Sequence, residues 1–223
     1  MQILSKSMNA HSLKGLELII VILCGAMIGV WSIYAGLHLL PQSSTAATTA
    51  IQPGGPFQLT ITEIMDSAWN STLAQPKFDV ESANGLESSS DILLPAHRLI
   101  QLTIISYDTP TAGSTDQEGK VSGTFGGTVY MINGTTAMGT NASQPWGTNV
   151  TAEPGSMLAH TFTIPQLGIN IPVVGGDTEI AYLYLNQTGA FPWLCETPCG
   201  FGPTGMQGAM STSGWMEGEV TVY

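Results

Sequence analysis

Apolar residues follow two different patterns along this chain. From Leu18 to Leu37, twenty consecutive residues carry no formal charge, and apolar side chains cover every helical face. At 1.5 Å per residue such a helix spans about 30 Å, the thickness of a bilayer core. Beyond Pro41 the pattern changes to alternation with a period of two, the mark of half-buried strands. It runs through Phe57–Ile64, through Leu99–Ile105 inside a longer stretch at 92–106, and through His160–Ile164. It returns at Glu179–Leu185 and in a closing segment, Gly218–Tyr223. The segment 66–90 holds no sustained period and reads as loop. The segment 109–156 reads as a long Gly/Thr-rich insert, with Thr128–Ile132 as one strand of a small hairpin. No helical period of useful length follows residue 41. Short strands separated by turn residues predict an all-β sandwich.

These patterns divide the chain into a tail (1–15), a transmembrane helix (16–40), a linker rich in Ser, Thr, Ala, Pro and Gly (41–56), and a β domain (57–223). Charge orients them. The tail carries Lys6 and Lys14 and no acid. Beyond the span stand three bases (Lys77, Arg98, Lys120) and every one of the 16 acids except Glu17. The positive-inside rule then predicts a single-pass protein of the cell membrane, embedded in lipid, with its C-terminal domain extracytoplasmic. An uncleaved anchor is preferred to three other readings. A secretory signal has a shorter apolar core. A prepilin-type processing site at Lys14-Gly15-Leu16 rests on a very short pattern. A buried core helix would show a polar face. Along the span, Gly25, Gly29, Ser32 and Gly36 form one ridge of small residues, which predicts close packing by a partner helix.

Composition narrows the partners. With 9% charged residues and a formal net charge of -11, the chain lacks the cations that phosphate neutralisation needs, so nucleic acid is excluded. A hydrophobic fraction of 43% excludes wholesale disorder. Five glycosylation sequons, at Asn70, Asn133, Asn141, Asn149 and Asn186, lie on the expected outer side and predict a glycosylated surface. Scarce charge and abundant Thr suit an acidic exterior, where excess Lys would self-repel. Asp and Glu are scattered along loops, reading as solvated surface, and no catalytic acid–base pair is visible.

The distinctive chemistry lies late in the chain. Cys195 and Cys199 stand four apart, Met206 follows on the same Gly-rich loop, and His160 opens an alternating strand upstream. In a sandwich, a strand near residue 160 and a loop near 200 can meet at one end. One imidazole, two thiols and a thioether form a soft donor set suited to copper. Cys24 lies in the span and cannot reach it. The same residues also admit a Cys195–Cys199 disulfide, favoured by an oxidising compartment, beside a surface Met and a hydrogen-bonded His.

Two stretches carry a family resemblance. His160-Thr161-Phe162-Thr163-Ile164-Pro165-Gln166-Leu167-Gly168-Ile169 matches a motif His-x-Phe-x-[Val/Ile]-Pro-x-Leu-Gly-[Ile/Val]. Cys195, Cys199, Gly200 and Met206 match Cys-x-[Glu/Gln]-x-Cys-Gly-x-x-His-x-x-Met at the right spacing. Both resemble subunit II of heme-copper terminal oxidases of the single-span archaeal or bacterial type. That family has one N-terminal helix and an outer cupredoxin domain with a binuclear copper centre, CuA. The resemblance implies a cupredoxin-like Greek-key β-sandwich. It also implies a copper site drawn from His160, Cys195, Cys199, Met206 and the backbone carbonyl at Thr197.

The match departs at one ligand, because Pro203 stands where the family has its loop histidine. His11, His38 and His97 offer no replacement: the first is expected inside, the second at the membrane edge, the third at a turn away from the metal end. A metal-free disulfide therefore ranks first, a single copper second and an intact binuclear centre last. The resemblance further implies a non-catalytic subunit, acting as electron relay or structural cap. Its partners would be the large catalytic oxidase subunit, which holds the heme, and other membrane subunits. Two other functions fit parts of the sequence: a pilin-like or other glycosylated surface structural protein, and a membrane-tethered mononuclear copper electron carrier.

Overall fold

The computed structural model describes residues 55–66, 74–136, 147–200 and 208–223. The expected tail and span, the linker up to residue 54, Asn70, Asn141, Pro203 and Met206 lie outside the described residues. Among the described residues there is no α-helix, and so no helix long and apolar enough to cross a membrane.

Twelve strands form two sheets. They are β1 (Phe57–Asp66), β2 (Gln75–Ser82), β3 (Gly85–Ser88), β4 (Asp91–Leu94), β5 (Leu99–Ser106), β6 (Val129–Ile132), β7 (Gly147–Val150), β8 (Leu158–Ile164), β9 (Ile169–Val174), β10 (Thr178–Tyr184), β11 (Gly189–Leu194) and β12 (Glu217–Val222). The larger sheet has seven strands in the order β3-β2-β1-β5-β10-β6-β7, the smaller five in the order β4-β12-β11-β8-β9. Most neighbours are antiparallel; β1 with β5 and β12 with β4 are parallel. The core lies between the sheets. Ile61, Ile100, Leu102, Ile104, Ala181 and Leu183 of the larger sheet meet Phe162, Ile164, Ile171, Trp193 and Val220 of the smaller.

Alternation decides which side chains enter that core. In β5, Ile100, Leu102, Ile104 and Ser106 are buried while their neighbours are half exposed. The inward parity continues past the strand end to Asp108. In β1 it places Ile61 and then Glu63 inward, each fully buried. In β8 every residue is buried. One face, with His160, Phe162 and Ile164, looks into the sandwich. On the other, Thr163 Oγ1 donates to Asn170 Oδ1 of β9, which the insert contacts. Asn170 exchanges backbone hydrogen bonds with Ser122, and its amide donates to the Glu118 and Lys120 carbonyls.

One sequence expectation needs correction. The segment 66–90 is not simply loop: it holds β2, β3 and Phe78, a fully buried member of the core. Gln75, Phe78 and Asp79 are buried there with no strict alternation, so the period-two signal was lost. The hairpin expected in the insert is present as β6 paired with β7.

Candidate metal centre

Register brings the sequence-distant donors together. β11 runs antiparallel to both β8 and β12, with Leu194 opposite Thr163 and also opposite Glu217. The chain leaving β11 therefore follows β8 back toward His160. Cys195 N donates to the Met216 carbonyl (2.9 Å), and Glu196 N donates to Thr161 Oγ1 (2.8 Å). The Thr197 hydroxyl donates to the Ala159 carbonyl (3.2 Å), and Cys199 N closes a tight turn onto the Thr197 carbonyl (2.8 Å). These bonds pin the cysteine loop against the start of β8.

His160, Cys195 and Cys199 are all buried, and their donor atoms lie within 4.8 Å of one another. His160 Nδ1 is 3.8 Å from Cys195 Sγ, and the two sulfurs are 3.5 Å apart, both as free cysteines. The Thr197 carbonyl stands 3.8 Å from Cys195 Sγ. Below this group lies an aromatic floor. Phe162 stacks on Trp193 at 5.2 Å, and Phe78 meets both edge-on. Phe78 also meets the His160 ring edge-on at 5.8 Å. Trp193 Nε1 donates to the Ser89 carbonyl (3.0 Å), so this large ring is buried with its one donor satisfied.

The far side of the imidazole is acidic. His160 Nε2 faces Asp108 Oδ2 at 3.2 Å and Glu63 Oε1 at 3.5 Å. Glu63 Oε2 accepts from Ser106 Oγ and from the backbone N–H groups of Tyr107 and Asp108, at 3.1 to 3.2 Å. These contacts fix the side chain's orientation. With Nε2 turned to the carboxylates, Nδ1 faces the sulfurs, the orientation that carboxylate partners give metal-ligating histidines.

Electrostatics separate the two thiols. Burial would push the Cys195 thiol up, but hydrogen bonds from Cys199 and His160, the His160 charge and Thr197 outweigh it and bring it well below the ordinary thiol range. The Thr161 N–H also points at Cys195 Sγ (3.4 Å). Cys199 is pushed up, first by the proton it shares with Cys195 and then by burial. For His160, burial opposes protonation, yet the Glu63 charge, the Asp108 hydrogen bond and the cysteine contacts raise it well above 6.5. Three of these residues were legible as candidates. Glu63 and Asp108 were not, because the acids were read as solvated surface. A signal existed: Glu63 has the same parity as Ile61, so an acid stands at an inward position of a strand.

Other expected sites fall elsewhere. His97 is exposed, with φ 53°, in the turn after β4, at the opposite end of β5 from Asp108. Asn149 and Asn186 are exposed. Asn133 is buried with Nδ2 donating to Asp177 Oδ2 (3.0 Å), which closes that sequon to a glycan in this fold.

No family model matches the chain, and no curated protein matches it. Among solved structures it is similar to the periplasmic domain of subunit II of cytochrome oxidase of Bradyrhizobium japonicum, at 11% identity and TM-score 0.33, over 75% of this chain and 83% of that one. It is also similar to a chain of a heme-copper terminal oxidase dimer, at 14% identity and TM-score 0.34, over 96% and 99%. Auracyanin B aligns at 12% identity and TM-score 0.32, over 76% and 91%. Likenesses this distant carry no argument about what this chain binds or does.

Proposed function

We propose that this chain is a cupredoxin-like copper protein that serves as the subunit II-like component of a membrane heme-copper terminal oxidase. One observation carries the reading: a fully buried imidazole nitrogen and two unbonded cysteine sulfurs converge at one end of a β-sandwich, one sulfur being favoured as thiolate. Sulfur and imidazole together are the donors copper prefers. The group fits a single copper, because Pro203 leaves one imidazole to serve it. In this reading His160 Nδ1, Cys195 and Cys199 hold the ion. Thr197 would offer its carbonyl, and Met206 a thioether donor. Copper bound there would supply one-electron transfer.

The chain's own contribution is preorganisation. Asp108 and Glu63 hold the ring so that Nδ1 is presented to the sulfurs. The Thr161 N–H stabilises charge on Cys195. The aromatic floor excludes water. The twenty-residue apolar stretch supports a membrane anchor, with the sandwich outside, capping a large heme-bearing subunit and relaying electrons to it. Gentle detergent extraction followed by identification of copurifying subunits and hemes tests the assembly. Heme copurification is the expected result; purification of the chain alone would favour the tethered copper carrier instead.

A further inference from the structure

The acids behind His160 form a group in their own right. Glu63, Asp108 and His160 each offer a donor atom, all within 4.8 Å of one another, and all three residues are buried. Glu63 and His160 are wholly inaccessible, and Asp108 is 7% exposed. Glu63 Oε1 is buried, has no hydrogen-bond partner and is aimed at His160 Nε2. Such a bare carboxylate oxygen is costly unless a cation or a donor completes it.

His160 can balance only one of the two carboxylates, and no other basic group is at hand. The three Lys and Arg side chains of the described residues are engaged elsewhere. Lys77 pairs with Asp66 and Asp79, Arg98 donates to the Gly55 carbonyl, and Lys120 donates to Gln117. The separations also match a metal. Tetrahedral donors at the usual zinc–nitrogen and zinc–oxygen bond lengths stand about 3.3 Å apart. Here Nε2 is 3.2 Å from Asp108 Oδ2 and 3.5 Å from Glu63 Oε1.

We propose that Glu63, Asp108 and His160 Nε2 form a second cation site, on the opposite face of the imidazole from the cysteines, taking one first-row divalent metal such as zinc. Two carboxylates and one imidazole are a hard-to-intermediate set, distinct from the sulfur side. When the metal–nitrogen bond forms, the Nε2 proton leaves to solvent and the remaining ring proton sits on Nδ1, facing Cys195 Sγ, so the imidazole serves this site or the sulfur side and not both at once. The partly exposed edge of Asp108 is the way in. The site rests on the carboxylates and not on the copper reading.

The test uses the full-length chain in detergent, stripped of metal, with Co2+ as the probe. C195S/C199S removes the sulfurs and leaves the carboxylate group whole. This variant is expected to bind one Co2+ per chain, with visible bands of a nitrogen/oxygen field and no sulfur-to-metal charge transfer. Adding E63Q and D108N should weaken that binding about 100-fold or more, the far end of what even outer-shell changes cost. Absence of Co2+ binding by a C195S/C199S chain with native circular dichroism would overturn the proposal. So would binding that E63Q and D108N leave unchanged. Should C195S/C199S not fold, X-ray absorption of wild-type chain carrying one Co2+ decides: only nitrogen and oxygen neighbours support the site, and a sulfur neighbour refutes it. Failure of the wild-type chain to bind copper, with Co2+ binding intact, would sink the copper reading alone.

Discussion

Asp108 shows how much one side chain can set. It lies beyond the end of β5, on the strand's inward parity, and its carboxylate meets His160 Nε2 at 3.2 Å. An amide in its place keeps the shape but loses the charge that holds the ring's Nε2 proton. D108N is therefore expected to weaken copper retention by about 10- to 100-fold, the usual cost of losing a partner behind a metal-binding histidine. Competition against a copper chelator measures this, and an unchanged affinity would show that Asp108 does not orient the ligand. At this scale the sequence was informative where the chemistry was distinctive. His160, Cys195 and Cys199 stood out as soft donors at family spacing. Glu63 and Asp108 did not, because a carboxylate usually faces water, and only strand parity distinguishes these two.

The elements of the smaller sheet hold the site through close packing as much as through hydrogen bonds. Trp193 of β11 is wholly buried between Phe78 and Phe162. Opposite it in β12 stands Gly218, where an added Cβ would lie 2.5 Å from both the Ser89 carbonyl and Trp193 Nε1. G218A should thus destabilise the fold by about 1–3 kcal/mol through overpacking, and W193A by about 3–5 kcal/mol through the cavity it leaves. Denaturant unfolding with unchanged m-values checks both, and a G218A midpoint equal to wild type would contradict the packing.

Strand legibility follows the same physics. β1, β5, β8 and β10 were readable because one face is apolar and regular. β2 was not, since Gln75 and Asp79 are buried beside Phe78 and blur the alternation. β9 and β11 carry prolines at 172 and 192 and a glycine at 189, which interrupt the period-two pattern.

On the scale of the whole domain, acids inside an apolar sandwich tie stability to pH. Glu179 shares the inward parity of Ala181 and Leu183 and is almost wholly buried, with Oε1 accepting from Val174 N at 2.8 Å. Burial, ahead of the neighbouring Asp177 and Glu153 charges, raises it well above the ordinary 4.5. Asp177 and Glu153 are raised too, again chiefly by burial. The sign follows from proton counts. Above about pH 4.5 the unfolded chain has released the Glu179 proton while the folded chain still holds it, so stability falls as pH rises toward the folded value. Its contribution is full below 4.5. The denaturation midpoint of wild type should decline from pH 4.5 to neutrality, and E179Q should flatten that decline and be the more stable protein at neutral pH. An E179Q curve parallel to wild type would refute it. This slope would suit the acidic exterior that the scarcity of charge suggests.

The central claim is that His160, Cys195 and Cys199 hold one copper. The most direct measurement is metal content with visible absorption and electron paramagnetic resonance on the full-length chain after copper loading. The account predicts one copper per chain, with intense sulfur-to-copper charge transfer and a single-copper resonance, all lost in H160A. Absence of copper with Cys195 and Cys199 joined as a disulfide would contradict it, as would a two-copper spectrum.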